Sequence, residues 1–311
     1  MPDIVIAFFA FGLLAGLLKS DLKVPQSIYE TLSILLMLVL GLKGGLALHG
    51  QAHSGMVPDL LAVAALGLII PLLAYPALRY LVKLTNSDSV SIAAHYGSVS
   101  AGTFAVVLAY AEKSGLPLLP ETTLYLVMLE LPAIVIMLGL YGALKGQGNQ
   151  AHIWREALTS RGVLLLGGGV LIGYLYGPEG LEPLAPALIG GFKTMLALFL
   201  LEMGLCTAKV CNPLPLQHWR LMLFAALAPF ALGALGLAFG LMLDLPQGSL
   251  LVLTTLAASA SYIAAPAAVR ASIPDANIGL AMLASLGITF PVNVLLAIPV
   301  YQHWVELTLG N

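Results

Sequence analysis

The stretch Ala257-Ala258-Ser259-Ala260-Ser261-Tyr262-Ile263-Ala264-Ala265-Pro266 sits in the middle of a long apolar segment. About half a chain earlier, Gly97-Ser98-Val99-Ser100-Ala101-Gly102-Thr103-Phe104-Ala105 carries the same Ser-x-Ser core in an equally apolar setting. Small residues, hydroxyls and a proline are poor choices for an unbroken lipid-facing helix. They suit a helix that breaks at mid-membrane and turns its freed backbone groups toward a cavity. The two stretches are therefore expected to face each other across a binding site.

The surroundings decide the class. Of 311 residues, 59% are hydrophobic and 9% charged, with a mean hydropathy of +0.97; a soluble domain carries about 25% charged residues. The chain reads as an all-α integral membrane protein in a lipid bilayer, since its apolar runs have helix-spanning length and lack the alternation of a barrel. A net charge of −2 without any basic cluster argues against nucleic acid as a partner. Cys206 and Cys211 have no CxxC spacing and no histidine at ligand spacing, and are read as structural or inert thiols. The N-terminal stretch reads as a spanning helix, because a basic n-region and a small-residue cleavage site are missing.

Ten apolar segments follow, roughly 3–18, 28–48, 57–82, 88–112, 121–144, 161–177, 185–208, 216–243, 247–271 and 276–305. With alternating sides, Lys19, Lys23, Arg79, Lys83, Lys145, Arg155, Arg161, Lys209, Arg220 and Arg270 fall on one face, against Lys43, Lys113 and Lys193 on the other. The positive-inside rule places the first group in the cytoplasm and both termini outside. The chain also repeats itself. Gly12-x3-Gly16 recurs as Gly169-x3-Gly173, Leu40-Gly41 as Met203-Gly204, Ser98-Val99-Ser100 as Ser259-Ala260-Ser261, and Leu131-Pro132 as Phe290-Pro291. Residues 1–148 and 149–311 thus form two five-helix repeats. An odd helix number inverts the second repeat, an arrangement common in secondary transporters. Core and scaffold parts interleave across both.

If segments 4 and 9 break at their serines, each leaves a half-helix N-terminus with unpaired N–H groups and about half a positive charge. Two such ends could hold a small anion without a basic side chain. The hydroxyls of Ser98, Ser100, Thr103, Ser259 and Ser261 could supplement them or, with carbonyls, coordinate Na⁺. The alternative is that these small residues only let helices pack closely. Glu130, before Leu131-Pro132, is the best acidic cation ligand. Thr289 and Asn293 offer neutral oxygens in the matching segment. Lys43 and Glu202, at equivalent points of the two repeats, are candidates for an intramembrane ion pair, with snorkelling to water as the alternative. His95 reads as a hydrogen-bonded structural residue or a pH sensor. An intramembrane enzyme is disfavoured: no Gly-x-Ser-x-Gly, no HExxH and no paired acids at motif spacing occur.

Residues Ala258 to Pro266, continuing through Ala268-Val269-Arg270-Ala271-Ser272-Ile273-Pro274-Asp275-Ala276-Asn277, resemble the second-repeat signature of the sodium-dependent bicarbonate transporter family of cyanobacterial carbon concentration. Gly97 to Glu112, Glu130-Leu131-Pro132-Ala133 and Lys193 to Gly204 are similar to that family too. The resemblance implies ten helices with crossing broken helices 4 and 9, a homotrimer in the bacterial inner membrane, and Na⁺-coupled symport of bicarbonate or a similar small monoanion, with no other cofactor. It implies an anion site at Ser98, Val99, Ser100, Ala260 and Ser261 and a Na⁺ site at Ser98, Thr103, Glu130 and Ser259. A soluble trimeric signalling protein is the implied regulatory partner, although the short central loop, about 145–161, weighs against it. The family has an acidic residue where Tyr262 stands, so one candidate cation ligand is absent. A Na⁺/H⁺ exchanger or organic-anion carrier of similar architecture is the alternative function.

Overall fold

The computed structural model describes residues 4–50, 55–145, 159, 161–211 and 216–310. All regular structure among them is helical: α1 Ile4–Leu17, α2 Gln26–Leu48, α3 Met56–Pro76, α4 Asn86–Gly97, α5 Ala101–Lys113, α6 Tyr125–Lys145, α7 Arg161–Leu181, the short α8 Ala185–Leu188, α9 Phe192–Val210, α10 Trp219–Met242, α11 Gln247–Ala257, α12 Ala264–Ser272 and α13 Ile278–Leu309. Helix occurs in each of the ten apolar segments, and seven helical stretches among the described residues are long and apolar enough to cross a membrane. The repeat boundary at 148/149, the break Gly146 to Asn149 and Arg155 lie outside the described residues.

Proline, glycine and caps set the ends. Thr85 caps α4, its hydroxyl oxygen accepting from the Asp88 N–H at 3.1 Å. Asn277 caps α13 through the Leu280 N–H. Within α7, Gly177 takes a left-handed φ of 62° just before Pro178, which ends the regular helix where the sequence pattern stops. In α13 the ladder widens to π-type turns at Leu283–Thr289 and Asn293–Ala297, on either side of Pro291.

Two helix pairs make the frame: α1 lies along α9, and α2 along α7. The first helix of each half therefore packs on the second helix of the other half. Glycines set both contacts. On α2 and α7, Gly41 and Gly45 mesh with Gly169 and Gly173; a Cβ at Gly169 would stand 2.6 Å from the Leu38 carbonyl oxygen, and one at Gly173 2.5 Å from that of Leu42. Gly12, Gly16 and Gly204 do the same between α1 and α9. The Gly-x3-Gly matches read from the sequence are thus close backbone contacts of the small-xxx-small kind. Inside, α3 packs on α6 and α10 on α11, while α4 from Ser87 and α11 from Gly248 are buried throughout.

This packing makes an internal control available. Gly173→Leu should destabilise the protein by at least about 1–3 kcal/mol through overpacking, read as a lower unfolding midpoint in detergent. Gly168→Leu, at a position whose Cβ meets nothing within 4 Å, should stay within about 0.5 kcal/mol of the parent.

Candidate functional site

The helices break where the serines predict. The first break is Ser98-Val99-Ser100, between α4 and α5; the second covers 258–263, between α11 and α12. Two hydrogen bonds tie them together. The Ser261 N–H donates to the His95 carbonyl at 2.7 Å, and the Ser100 N–H donates to Ser259 Oγ at 2.9 Å. Around this crossing α11 packs on α5 and α12 on α4.

Serine chemistry sets the half-helix ends. Ser100 Oγ accepts from the Thr103 N–H at 3.1 Å, and Ser261 Oγ accepts from the Ala265 N–H at 3.1 Å. Each hydroxyl satisfies one of the donors that a helix start leaves open. By their position at the helix start, the Ala101 and Gly102 N–H groups have no acceptor within α5. Val99 is held at φ 47°, a left-handed conformation that costs a β-branched residue on the order of 1–3 kcal/mol. It is over-determined on both sides: the Ser98 N–H bonds Ala94 O at 3.0 Å before it, and the Ser100 cap follows.

The four expected Na⁺ ligands divide into two groups. Ser98 Oγ, Thr103 Oγ1 and Glu130 Oε1 are buried and have no hydrogen-bond partner among the described residues. Such atoms carry a penalty of about 1–3 kcal/mol each unless something binds them, and oxygen is the donor that a hard cation takes. Ser259 is different: its hydroxyl already accepts from Ser100 and donates to Leu256 O at 2.8 Å. It is a strut of the crossing. Glu130 lies on α6 three residues before Ala133, whose methyl faces Gly97 at the end of α4. That spacing puts its side chain on the helix face turned to the first break.

Several expectations are corrected by the packing. Lys43 pairs with Glu112 at the end of α5, Nζ to Oε1 at 2.6 Å, and not with Glu202. The reason is distance along the helices. Glu202 accepts from the Cys206 thiol at 3.2 Å and neighbours Tyr29, which is 14 residues before Lys43 on α2, or about 21 Å at about 1.5 Å per residue. Thr289 and Asn293 are braces: Thr289 bonds the Tyr96 hydroxyl at 2.6 Å and Ala225 O at 2.8 Å, and Asn293 Nδ2 donates to Ala258 O at 2.9 Å. His95 Nδ1 donates to Ser91 O at 2.7 Å, the hydrogen bond expected of the structural reading, while its buried Nε2 has no partner among the described residues.

Tyr262 is the residue whose role sequence reasoning missed. Its ring packs edge-on against Phe290 with centroids 5.2 Å apart. Its hydroxyl lies beside Ser100 and so close to Gly102 that no Cβ fits there. A neutral hydroxyl donor thus stands at the open N-terminus of α5. On the far side, Ser33 of α2 and Phe199 of α9 close the space above Ala101, Gly102 and Ile263, leaving a cavity of about 10 Å³, roughly one water-sized sphere. Tyr29, stacked on Phe199 at 5.7 Å, extends that wall. No sequence motif marks these wall residues, because they occupy ordinary helix positions.

A model described as the Na⁺-dependent bicarbonate transporter superfamily matches residues 4–306. The comparison with curated proteins gave no match.

The caps separate two roles for the serines. Ser100→Ala and Ser261→Ala should each lower stability by about 1 kcal/mol through loss of a cap and weaken ligand binding only moderately. Ser261→Leu should abolish binding by filling the crossing. Thermal midpoints in detergent, paired with transport assays, check this; complete loss of transport in both folded alanine variants would show that side chains, and not backbone, hold the ligand.

Proposed function

The chain belongs to the Na⁺-dependent bicarbonate transporter superfamily, and from that premise we propose that it is a symporter moving Na⁺ with bicarbonate or a similar small monoanion by alternating access. Membership makes it a transporter and not an enzyme, with Na⁺ dependence as the family trait. The observation that carries the finer reading is the pair of tied breaks: the α5 and α12 starts, with Ser98, Val99, Ser100, Ala260 and Ser261 around them, form an anion site built from backbone N–H groups and helix dipoles. Tyr262 adds a hydroxyl donor without the charge repulsion that an acid would bring. Ser98, Thr103 and Glu130 supply the oxygens for Na⁺, so cation and anion neutralise each other in a dry site.

Alternating access follows from where the walls belong. The breaks are carried by the buried inner helices, whereas the wall with Ser33 and Phe199 belongs to the glycine-meshed pairs α1/α9 and α2/α7. Sliding the inner helices against that frame would open the closed cavity, and the Lys43–Glu112 pair between α2 and α5 would have to part. The reciprocal packing of α1 on α9 and α2 on α7 supports two inverted five-helix repeats. Under such inversion, equivalent residues lie on opposite sides of the membrane, which accounts for the separation of Lys43 from Glu202. A homotrimer in the bacterial inner membrane with both termini outside completes the proposal.

Radiolabelled bicarbonate uptake into proteoliposomes should rise with an inward Na⁺ gradient and fall to the level of empty vesicles without Na⁺. Failure of bicarbonate and of every other small anion would overturn the proposal. A second experiment addresses the cation. Na⁺ and protons should compete for the Glu130 carboxylate, so lowering the pH should raise the Na⁺ concentration that gives half-maximal transport. Glu130→Gln should weaken Na⁺ affinity and abolish that pH dependence; an unchanged Na⁺ titration at two pH values would remove Glu130 from the site.

A further inference from the structure

A wide apolar groove lies away from the crossing, near the basic face. It runs between the end of α3 and the start of α10, with a volume of about 650 Å³. Its walls are apolar, with Leu73 and Leu81 on one side and Leu223 and Leu227 on the other, all exposed. At its open end it shares Val82, Trp219 and Arg220 with a second cavity of about 490 Å³, which Lys83 also lines. The lining runs from Leu73 on α3 to Val82 at the end of the π-type turns Ala77–Val82 that continue it, at most about 14 Å at about 1.5 Å per residue. That is about the depth of one leaflet in a hydrocarbon core of about 30 Å.

We propose that this groove and its basic mouth bind one anionic phospholipid of the cytoplasmic leaflet, with an acyl chain along α3 and α10 and the headgroup phosphate between Lys83 and Arg220. Charge complementarity selects the occupant. Both basic side chains are exposed and neither has an ion-pair partner among the described residues. Arg220 also lies over the Trp219 ring, 5.5 Å from its centroid, the pairing of aromatic ring and cation that suits the headgroup level. The one carboxylate in the mouth, Asp88, is committed elsewhere. It accepts from the Thr85 hydroxyl at 2.7 Å and the Asn277 N–H at 2.8 Å. Lys83 and Arg220 belong to the basic set that the positive-inside rule assigns to the cytoplasm, the side whose leaflet carries anionic lipid. The site lies outside the ion and anion crossing and does not depend on which anion is carried.

Native mass spectrometry of the detergent-solubilised protein, titrated with phosphatidylglycerol or phosphatidylcholine, tests the site. One phosphatidylglycerol per chain should bind. The double variant Lys83→Gln/Arg220→Gln should bind it about thirtyfold more weakly, which corresponds to about 2 kcal/mol at about 1.4 kcal/mol per tenfold and to two basic groups near an anionic headgroup. Ala231→Trp, a substitution at an exposed wall position, should block the groove and remove the lipid without lowering the thermal midpoint. Equal retention of both lipids, or phosphatidylglycerol binding unchanged in both folded variants, would overturn the proposal. So would an assembly of copies that Ala231→Trp splits, since a second copy would then be what covers the groove.

Discussion

The structure turns on two hydrogen bonds donated by main-chain N–H groups, from Ser261 to the His95 carbonyl and from Ser100 to Ser259 Oγ. A polypeptide inside a membrane cannot leave backbone groups unsatisfied, so an interrupted helix is tolerated only where something else completes it. Here each break completes the other. The need for close approach explains why small residues fill both stretches, and why Gly97 and Gly102 stand where a Cβ would meet Ala133 or Tyr262. It also explains how Val99 keeps a left-handed backbone. The strain is held by bonds on both sides of it and by Asn293, which fixes the facing break through Ala258.

A site of this kind needs a rigid surround, and hydrophobicity alone does not provide one within a bilayer, where lipid tails are as apolar as leucine. The frame instead uses glycine contacts in which backbones touch along α1/α9 and α2/α7. Dispersion and close packing then hold the helices where solvent exclusion cannot. The inner helices use polar braces in addition, such as Tyr96 to Thr289 and Tyr301 to Asn293. The frame and the inner helices are thus held by different means.

This difference explains what the sequence made legible. Breaks and glycine contacts depend on local composition, so the Ser-x-Ser cores and Gly-x3-Gly pairs marked the fold's central features correctly. Polar pairing depends on which helix end meets which, and that information is tertiary. Lys43 on α2 and Glu202 on α9 matched by position within the repeats, yet Glu202 lies beside Tyr29, about four turns of α2 away from Lys43, and Glu112 takes the lysine. Thr289 and Asn293 showed as polar residues in an apolar segment without revealing whether they face a ligand or a neighbouring carbonyl. Tyr262 stood out only as a departure from an acidic pattern. Its position beside Gly102 is set by packing against Phe290.

The two breaks are related in sequence but unequal in what they leave open, and the inequality bears on how ions are sorted. In the second break, the Ser259 and Ser261 hydroxyls are occupied by backbone partners. In the first, Ser98 and Thr103 keep unpartnered oxygens, as does Glu130 on α6. Free oxygens suit a cation and N–H groups at a helix start suit an anion, and in the proposed site both sets flank Val99. A cation at the first break would strengthen the field that an anion meets at the start of α5, since the two charges would be a few ångströms apart in a medium that screens poorly. In the proposed symporter, direct Coulomb attraction of this kind would let each ion favour the other's binding without a conformational relay.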